Sequence, residues 1–277
     1  MPELPEVETV MGGMRRSICD KLIDRVQVKR KDLRIPVNDD FAQQLSSKSI
    51  KSLTRRGKYI IMGLDPDNLH VILHLGMSGR IRIFGAGERY EPRKHDHIIV
   101  HLEDGTIFAF EDPRRFGLMY IASEKDWRKE KPFISMGPEP LEDWSAQDLL
   151  AKLKNKKANI KISLLDQRVV VGLGNIYVCE ALYYAGVSPL RTANTISEDE
   201  AERIVKISKE VLEKAIKAGG STLKDYQQTD GSLGYFQHSF TVYDQEGEDC
   251  SKPSCKAKIK RITQGGRSSF YCPKCQK

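Results

Sequence analysis

The sequence predicts an α+β fold in three parts: an antiparallel β-sandwich preceded by an N-terminal helix, a helical middle, and a four-cysteine hairpin at the end. Three observations indicate this fold. Short strand-like segments with polar turns fill residues 59–121, apolar residues recur at helical spacing over 201–215, and four cysteines lie within the last 28 residues. For the first part, the strand pattern leaves a barrel open as the alternative to a sandwich.

The first predicted element is a helix that starts at Leu4. Apolar residues recur at i, i+3, i+4 and i+7 spacing as far as Ile18, which gives the helix one buried face. Pro5 suits the first helical turn, and Glu6 and Glu8 lie near the positive end of the helix dipole.

Strand-like segments follow the helix. They cover residues 59–64, 69–75, 80–84, 97–102, 106–110 and 118–121. Their close spacing, with turn residues between them, is typical of antiparallel pairing rather than of a parallel sheet.

After the strands, the spacing of apolar residues becomes typical of helices. Three prolines mark residues 129–143 as a linker, and a long amphipathic helix over 201–215 ends at the helix-terminating pair Gly219-Gly220. We therefore expect three domains, with boundaries at 1–131, 132–235 and 236–277.

The four C-terminal cysteines have the spacing of a zinc site. Four residues separate Cys250 from Cys255, two separate Cys272 from Cys275, and sixteen lie between the pairs. Four thiolates fill the tetrahedral coordination of Zn²⁺, so we expect one structural zinc ion rather than a catalytic one. Alternating residues between the pairs predict a hairpin with Gly265-Gly266-Arg267 at its tip.

Positive charge is concentrated in the same stretch. The chain has 45 Lys and Arg residues against 38 Asp and Glu residues, a formal net charge of +7. Eight of the basic residues and none of the acidic ones fall in 250–277, which leaves 37 basic and 38 acidic residues, a net −1, in 1–249. A basic block of this kind indicates a polyanion-binding element.

The composition excludes several classes of protein. With 39% hydrophobic and 30% charged residues, the chain can bury a core, so disorder is not expected. Its longest apolar run, residues 169–178, is far shorter than the roughly 20 residues that span a membrane. The N-terminus lacks the pattern of a signal peptide. We therefore expect a cytoplasmic protein with no membrane partner, in which clustered cysteines bind metal sooner than they form disulfides.

Pro2 and Glu3 have the chemistry of a nucleophile and a proton carrier. Removal of the initiator Met would leave Pro2 with a free secondary amine, and an α-amino group has a pKa near ~8, well below the ~10.4 of a lysine. The positive end of the following helix lowers that pKa further, and Glu3 can give and take protons. On these residues alone, a frayed terminus is the simpler interpretation.

Basic residues also occur in predicted turns. They lie in 54–58, in the Asp-Pro-Arg-Arg-Phe-Gly segment 112–117, and in 152–161, which holds five lysines. Gly, Pro and Phe among them are typical of phosphate-binding loops with a wedge residue, although a solvated charged face is the commoner outcome. In segment 94–97, two histidines share a strand face. A polar edge or a phosphate contact is favoured there over a metal pair, because no third ligand is evident.

Taken together, these segments resemble the formamidopyrimidine-DNA glycosylase family. The matching blocks run in order along the whole chain: MPELPEVETV at 1–10, RRGKY at 55–59, HLGMSG at 74–79, HDH at 95–97, DPRRFG at 112–117, MGPEPL at 136–141, LLDQRVVVGLGNIY at 164–177, GGSTLKDY at 219–226 and the four-cysteine tail. The family comprises bacterial enzymes that excise oxidised purines, such as 8-oxoguanine and formamidopyrimidines, and then cleave the strand. The resemblance implies a helix-two-turn-helix module in the middle of the chain and a C-terminal zinc finger. The first cysteine pair departs from the Cys-x2-Cys of many members.

The resemblance also implies catalytic roles. Pro2 would attack the anomeric carbon of the damaged nucleotide and form a Schiff base, and Glu3 would manage protons during ring opening. Lys58 matches the proton donor of β-elimination, and Arg267 matches the donor assigned to δ-elimination. The product would be a one-nucleotide gap flanked by phosphates.

Contacts with damaged double-stranded DNA, made by one monomer, are implied as well. His95, Arg114 and Lys157 match DNA-contact positions. Residues around the lesion phosphates are matched by Lys58, Lys161, Asn175 and Arg267. Met77, Arg114 and Phe116 match the residues that fill the void left by an everted base. Segment 219–226 would cover that base.

Two alternatives stay open. Endonuclease VIII-like enzymes, which remove oxidised pyrimidines, share the Pro-Glu start and the zinc tail, but residues 4–8 favour the purine enzyme. A non-catalytic DNA-binding protein with a zinc ribbon would explain the basic tail, yet it would leave Pro2, Glu3 and Lys58 without a role.

Overall fold

Residues 1–123, 126–222 and 226–277 are described by a computed structural model and form two units. The sandwich unit comprises Met1–Ile134 and Ala218–Tyr235, and the helical unit comprises Ser135–Lys217 and Phe236–Lys277. The expected boundaries after residues 131 and 235 lie close to two points where the chain passes between units. The division into three domains stays a prediction.

Helix α1 (Leu4–Ile18) begins where the sequence predicts. A capping box fixes its first turn: the Glu3 carboxylate accepts a hydrogen bond from the backbone N–H of Glu6, and Glu6 Oε2 accepts one from the N–H of Glu3 at 2.8 Å. The apolar face of the helix is buried, from Val7 to Ile18. The N-terminus is therefore a well-defined start to the helix and not a frayed end.

The sandwich unit contains eight strands within its described residues. They are β1 (Ile23–Val28), β2 (Ser49–Arg56), β3 (Tyr59–Asp65), β4 (Leu69–His74), β5 (Arg80–Phe84), β6 (Asp96–Leu102), β7 (Ile107–Glu111) and β8 (Leu118–Ile121), with the short helix α2 (Phe41–Leu45) between β1 and β2. One antiparallel sheet has the order β1-β6-β7-β5, and the other has the order β2-β3-β4-β8.

Both sheets contribute to one apolar core. Buried side chains from the first sheet include Ile23, Ile98 and Phe108, and those from the second include Leu53 and Leu73. The apolar face of α1 packs into the same cluster. Two sheets that share a core in this way form a sandwich, so the predicted α+β fold is confirmed.

Three sequence-based expectations are corrected. Strands β1 and β2 were not predicted. Thr54, Arg55 and Arg56 belong to β2 instead of a turn, and Arg55 Nε pairs with Glu8 Oε2 at 2.6 Å. The expected linker over 129–143 contains Phe133, which is buried against Trp127 at a ring distance of 4.9 Å. Part of that stretch therefore belongs to the folded sandwich unit.

The helical unit contains α3 (Ala146–Leu153), α4 (Ile160–Leu165), α5 (Asn175–Ala185) and α6 (Glu198–Lys217), followed by the hairpin strands β9 (Lys260–Gln264) and β10 (Arg267–Tyr271). Helix α5 is buried along nearly its whole length and contacts α4, α6 and β10. Helix α6 buries a single stripe, as predicted, and ends before the left-handed Gly219 and Gly220. In the described parts of the chain, no helix has the length and apolar character needed to cross a membrane.

Candidate active site and zinc centre

Pro2 and Glu3 lie directly before the first turn of α1. Pro2 is buried, whereas Met1 is 51% exposed and therefore accessible for removal. Glu3 is itself buried, and its carboxylate is oriented by the capping box. Removal of Met1 would place the Pro2 amine one residue from a fixed carboxylate, at the positive end of the helix dipole.

Glu6 connects this site to the segment predicted to cover a flipped base. While its Oε2 accepts from Glu3, its Oε1 accepts a hydrogen bond from the Ser221 N–H at 2.8 Å. Within the predicted segment 219–226, residues 223–225 lie outside the described residues. The described part meets α1 at its first turn.

Lys58 occupies a two-residue turn between β2 and β3. Arg56 pairs with Tyr59 across the turn, and Gly57 has a φ of +58°, which matches a type II′ hairpin with glycine at its first central position. Lys58 is only 8% exposed. The turn therefore holds the lysine on a rigid and largely buried support.

His74, on β4, lies close to this lysine and was not predicted as a site residue. Burial, and then the positive charges of Lys58 and Arg34, lower the pKa of His74 to about 3. Its Nδ1 accepts a hydrogen bond from the Gly76 N–H at 2.9 Å, and its ring lies 4.6 Å from that of Tyr59. His74 is thus neutral at physiological pH and adds no charge beside Lys58.

Asp112 ties together the two loops 75–79 and 112–117. It is fully buried; its Oδ1 accepts a hydrogen bond from Ser78 Oγ at 2.6 Å, and its Oδ2 accepts one from the Gly117 N–H at 2.7 Å. The loops approach so closely that a Cβ on Gly76 would lie 2.4 Å from the Gly117 nitrogen. Both loops contain motifs that carry the family resemblance, but the contact between the two loops was not predicted from the sequence.

The predicted void-filling residues project from these two loops. Met77 is 36% exposed and Phe116 is 46% exposed, which is unusual for large apolar side chains. Arg114 is also exposed, and its guanidinium lies 5.1 Å from the centre of the Phe116 ring. The tied loops therefore present two apolar side chains and a cation to solvent.

His95 lies in the turn before β6 and not on a strand, which corrects the predicted shared strand face. Its ring centre is 6.3 Å from that of His97, whose Nε2 donates to the Asp112 carbonyl oxygen at 2.7 Å. Within the described residues, the four C-terminal cysteines form a cluster of at least three His, Cys, Asp or Glu side chains close enough to hold one metal ion, and this histidine pair belongs to no such cluster.

The four cysteines converge as their spacing predicts. All four Sγ atoms lie within 4.8 Å of one another, with Cys250 and Cys275 at 3.8 Å and Cys255 and Cys272 at 3.6 Å. Zn–S bonds of about 2.3 Å place the sulfur atoms of a regular tetrahedron about 3.8 Å apart. The cluster therefore fits one Zn²⁺, and four thiolates make it a structural zinc.

The zinc finger is docked on the end of α5. The Gln276 side chain accepts from the Cys272 N–H at 2.8 Å and donates to the Val187 carbonyl at 2.9 Å. Lys277 continues the contact, because its N–H donates to the Gly186 carbonyl at 3.1 Å and its carbonyl accepts from Ser188 at 2.9 Å. The finger is therefore integrated with the helices of its unit.

Tyr183 of α5 reaches the metal cluster. Its hydroxyl oxygen lies 3.2 Å from Cys250 Sγ and 2.9 Å from Ser251 Oγ. A zinc-bound thiolate has no proton to give, so in this arrangement Tyr183 donates to the sulfur and accepts from Ser251. The Lys252 ammonium lies 5.4 Å from the centre of the tyrosine ring.

Lys161 and Asn175 meet at the start of β10. Lys161 is fully buried, and its Nζ donates to the Ser268 carbonyl at 2.9 Å, as does the side-chain amide of Asn175 at 2.9 Å. The structure thus gives both residues a role in fixing the hairpin; their contact with a phosphate stays a prediction. Arg267 is exposed and is the first residue of β10, not part of the tip, because Gly265-Gly266 alone form the turn.

Next to Arg267 lies a cavity of about 550 Å³ with strongly basic walls. Its charged lining residues are Lys156, Lys157, Arg168, Arg267 and a single acid, Asp166. The hydrogen bond from Arg168, together with a weaker contribution from Lys156, outweighs burial and holds the pKa of Asp166 well below its usual range. Asp166 thereby orients two of the four cations, and the surplus of positive charge suits an anion.

Family models match three consecutive parts of the chain. The formamidopyrimidine-DNA glycosylase N-terminal domain matches residues 1–119, the formamidopyrimidine-DNA glycosylase H2TH domain matches 136–227, and the zinc finger found in FPG and IleRS matches 250–277. The third match agrees with the cysteine cluster seen in the structure.

Full-length relatives and solved structures agree with these matches. Formamidopyrimidine-DNA glycosylases from Ruegeria pomeroyi and Afipia carboxidovorans are each 46% identical, with all of both chains covered. The Fpg protein of Thermus thermophilus has a TM-score of 0.86 at 35% identity, covering 99% of this chain and 98% of its own. A Lactococcus lactis Fpg mutant, solved with Fapy-dG-containing DNA, has a TM-score of 0.88 at 34% identity and full coverage of both chains. Since its similarity extends from end to end in sequence and in structure, the chain belongs to the formamidopyrimidine-DNA glycosylase family.

Proposed function

We propose that the protein excises oxidised purines, among them 8-oxoguanine and formamidopyrimidines, from double-stranded DNA and then cleaves the strand at the resulting abasic site. The observation that carries this proposal is the placement of Pro2 and Glu3 at the capped start of α1, with Glu3 buried and oriented. A nucleophilic amine is favoured by a proton carrier beside it and by the positive end of a helix dipole, and both features of this arrangement support the proposal.

The first step is proposed for the Pro2 nitrogen. Its lone pair forms a bond to C1′ of the damaged nucleotide and the nitrogen gives up its proton, while the bond from C1′ to the base breaks and the base leaves with that electron pair and takes up a proton. Opening of the sugar ring, with Glu3 as the source of the proton on O4′, converts the adduct into an iminium. The iminium then acidifies the C2′ hydrogen.

Two eliminations complete the reaction in this proposal. Loss of the C2′ proton expels the 3′-phosphate, for which Lys58 is the proposed proton donor, and a second elimination expels the 5′-phosphate. Because a guanidinium keeps its proton near neutral pH, Arg267 would assist the second departure through its charge on the phosphate. A one-nucleotide gap flanked by phosphates would remain.

DNA contacts are proposed for both units. In the sandwich unit, Met77, Arg114 and Phe116 would fill the space left by the everted base, a state that costs a few kcal/mol and needs a wedge. His95, at the edge of the same loops, would contact the backbone. The exposure of the three wedge residues on loops fixed by Asp112 supports this role.

In the helical unit, Lys157 and Arg267 would contact phosphates at the basic cavity, with Lys161 and Asn175 behind them. The zinc finger would hold Arg267 in place. We propose that one chain acts alone and that it works in the bacterial cytoplasm, where chromosomal DNA is available.

Borohydride trapping tests the proposed chemistry. Protein freed of Met1 is incubated with duplex DNA carrying 8-oxoguanine opposite cytosine, and borohydride reduces the iminium to a stable adduct. We expect a covalent complex whose peptide digest places the modification on the Pro2 nitrogen. The matched control retains a residue before Pro2, which turns the amine into an amide, and it should give no adduct.

The outcomes distinguish the alternatives. Absence of an adduct with every damaged duplex would indicate a non-catalytic zinc-ribbon protein. Trapping on thymine glycol but not on 8-oxoguanine would favour the endonuclease VIII-like activity. An adduct that maps to a lysine would remove Pro2 from its role.

A further inference from the structure

The chain is held by contacts both before and after residues 223–225, which lie outside the described residues. We name residues 226–229 the return segment. On the near side, Ser221 bonds to Glu6, and a Cβ on Gly220 would lie 3.0 Å from Glu6 Cγ. This part of the chain therefore lies against the same turn of α1 that carries Glu3.

Arg80 of β5 holds the return segment. Its Nη1 donates to Gln227 Oε1 at 2.9 Å. The rest of the guanidinium is bound to Glu111 on β7, with Nη2 at 2.6 Å from Oε1 and Nε at 3.0 Å from Oε2. This paired geometry fixes the plane of the guanidinium, so the direction in which Nη1 donates is set by the sheet.

Glu111 is ionised and buried, and it holds the Arg80 guanidinium in place. Burial alone would raise the pKa of Glu111, but the hydrogen bond and charge of Arg80, with the charges of Arg82 and Arg93, hold the pKa below its usual value. The side chain of Glu111 is 5% exposed and that of Arg80 is 22% exposed. A partly desolvated, bidentate pair of this kind is stiffer than a surface ion pair.

The end of the return segment is fixed by close contact. The Thr229 carbonyl accepts a hydrogen bond from the Ile83 N–H of β5 at 3.1 Å. On α1, a Cβ on Gly13 would come within 2.3 Å of Thr229 Oγ1, so the absence of a side chain at Gly13 leaves room for the Thr229 side chain. The return segment is therefore held between α1 and β5.

We propose that Arg80 and Gln227 are positioning residues for recognition of the damaged base. This inference rests on the proposed function. Ser221 is bonded to Glu6 in the first turn of α1, so this part of the chain lies close to Pro2, where the proposed attack expels the base. The Arg80–Gln227 contact fixes the return segment on the sheet a short way along the chain from Ser221, and so limits the positions at which Ser221 and Thr222 meet the base.

Base excision and strand cleavage can be measured separately, and together they distinguish positioning of the base from a role in folding or in DNA binding. Excision acts on a nucleotide that still has its base, whereas cleavage of a preformed abasic site has no base to hold. Loss of a positioning contact for the base therefore lowers excision and spares cleavage. A contact needed for folding or for DNA binding would lower both.

The experiment compares Gln227→Leu with the native enzyme on two duplexes, one with 8-oxoguanine and one with a preformed abasic site. We expect kcat/KM for excision to fall about tenfold to a hundredfold, the size of one hydrogen bond to a charged group, and abasic-site cleavage to stay within about twofold. Gln44→Leu, which removes an amide that bonds to Asp40 beside α2, is the control and should leave both rates unchanged.

A double-mutant cycle completes the test. Arg80→Met also removes the bonds to Glu111 and should lower excision at least as much as Gln227→Leu. The double variant should lose no more than Arg80→Met alone, because the contact with Gln227 is already gone. Equal loss of both activities in Gln227→Leu, no loss of either, or additive effects would overturn the inference. Native enzyme that acts on neither duplex would overturn the proposed function instead.

Discussion

At the scale of single residues, His74 shows how the site tolerates several cations. The residue is buried beside Lys58 and Arg34, and its pKa is lowered to about 3 by burial and by those charges. A protonated His74 would add a third positive charge in an enclosed space. As a neutral acceptor for the Gly76 N–H, it supports the loop that carries Met77 at no electrostatic cost.

This environment predicts a specific dependence of stability on pH. The folded-state pKa of His74 lies below its unfolded value of about 6.5, so its contribution is complete above pH 6.5 and is lost as pH falls towards 3. The loss is about 1.4 kcal/mol per pH unit, or about 2 kcal/mol at pH 5. His74→Asn keeps an acceptor for Gly76 without titrating. Urea unfolding at pH 7 and pH 5 should therefore show a smaller loss for this variant than for the native protein.

An exposed histidine supplies the control. His238→Asn changes a surface residue and should leave the pH dependence of the free energy of unfolding as it is in the native protein. Identical pH dependence for the His74→Asn variant and the native protein would show that His74 is not held in its neutral form.

The sequence indicated some site residues and not others, for a physical reason. Pro2 and Glu3 could be proposed because a terminal amine and a helix start are local features, and Lys58 could be proposed from the resemblance to the family. His74, Asp112 and the Arg80–Gln227 contact act through partners far along the chain. Lys161 was matched to a position near the lesion phosphates; its amine lies inside the unit on the Ser268 carbonyl, a contact that spacing in the sequence could not reveal.

At the scale of secondary-structure elements, two tight hairpins place two basic residues. Gly57 allows a turn that contains Lys58, and Gly265-Gly266 form a turn followed at once by Arg267. Both turns need glycine at positive φ, and the second has the two positive φ values of a type I′ turn. Short turns leave little freedom, so each basic residue has a defined direction from its sheet.

One cysteine of the zinc finger also accepts a hydrogen bond from a tyrosine of α5, and this bond affects how reactive the sulfur is. The Tyr183 hydroxyl donates to Cys250 Sγ and so draws electron density from a thiolate that binds zinc. Without it, the sulfur is a stronger nucleophile towards oxidants. We expect Tyr183→Phe to release zinc to a chromogenic chelator about fivefold faster under peroxide, as the loss of one hydrogen bond of about 1 kcal/mol implies.

Tyr184→Phe is the matched control for this experiment. Its hydroxyl bonds to Thr241 Oγ1 at 2.5 Å and not to a cysteine, so zinc release should match that of the native protein. Equal release rates for the Tyr183 and Tyr184 variants would contradict the role of the bond to sulfur.

The elements missed by sequence analysis share a position in the fold. Strands β1 and β2 each lie at the edge of a sheet and have exposed, charged residues along much of their length. Edge strands carry such residues because they face solvent and avoid pairing with other chains, which removes the apolar pattern of an inner strand. The inner strands β3, β4, β6 and β7 kept that pattern and were predicted nearly to the residue.

At the scale of the whole molecule, the two tryptophans report on different units. Trp127 lies in the sandwich unit and Trp144 in the helical unit. A Trp144→Phe background therefore isolates the fluorescence of the sandwich unit, and Trp127→Phe isolates that of the helical unit.

Loss of zinc should affect these reporters unequally. In Cys272→Ser, the finger loses its metal and its contacts with the end of α5, so we expect the Trp144 transition to fall by about 5–10 °C. The Trp127 transition should move by less than about 2 °C, and DNA affinity should fall. An equal shift of both transitions would show that the zinc stabilises the whole chain and not the helical unit alone.

Residues near both ends of the sequence have roles or contacts of their own, which limits where a purification tag can be attached. A tag fused ahead of Pro2 would convert the proposed nucleophile into an amide, and one fused after Lys277 would begin at a residue bonded to Gly186 and Ser188. A protease-cleavable N-terminal tag that leaves Pro2 first is one solution. An epitope inserted beside Gly87 is another, because that glycine is exposed and has nothing within 4 Å of its Cβ position.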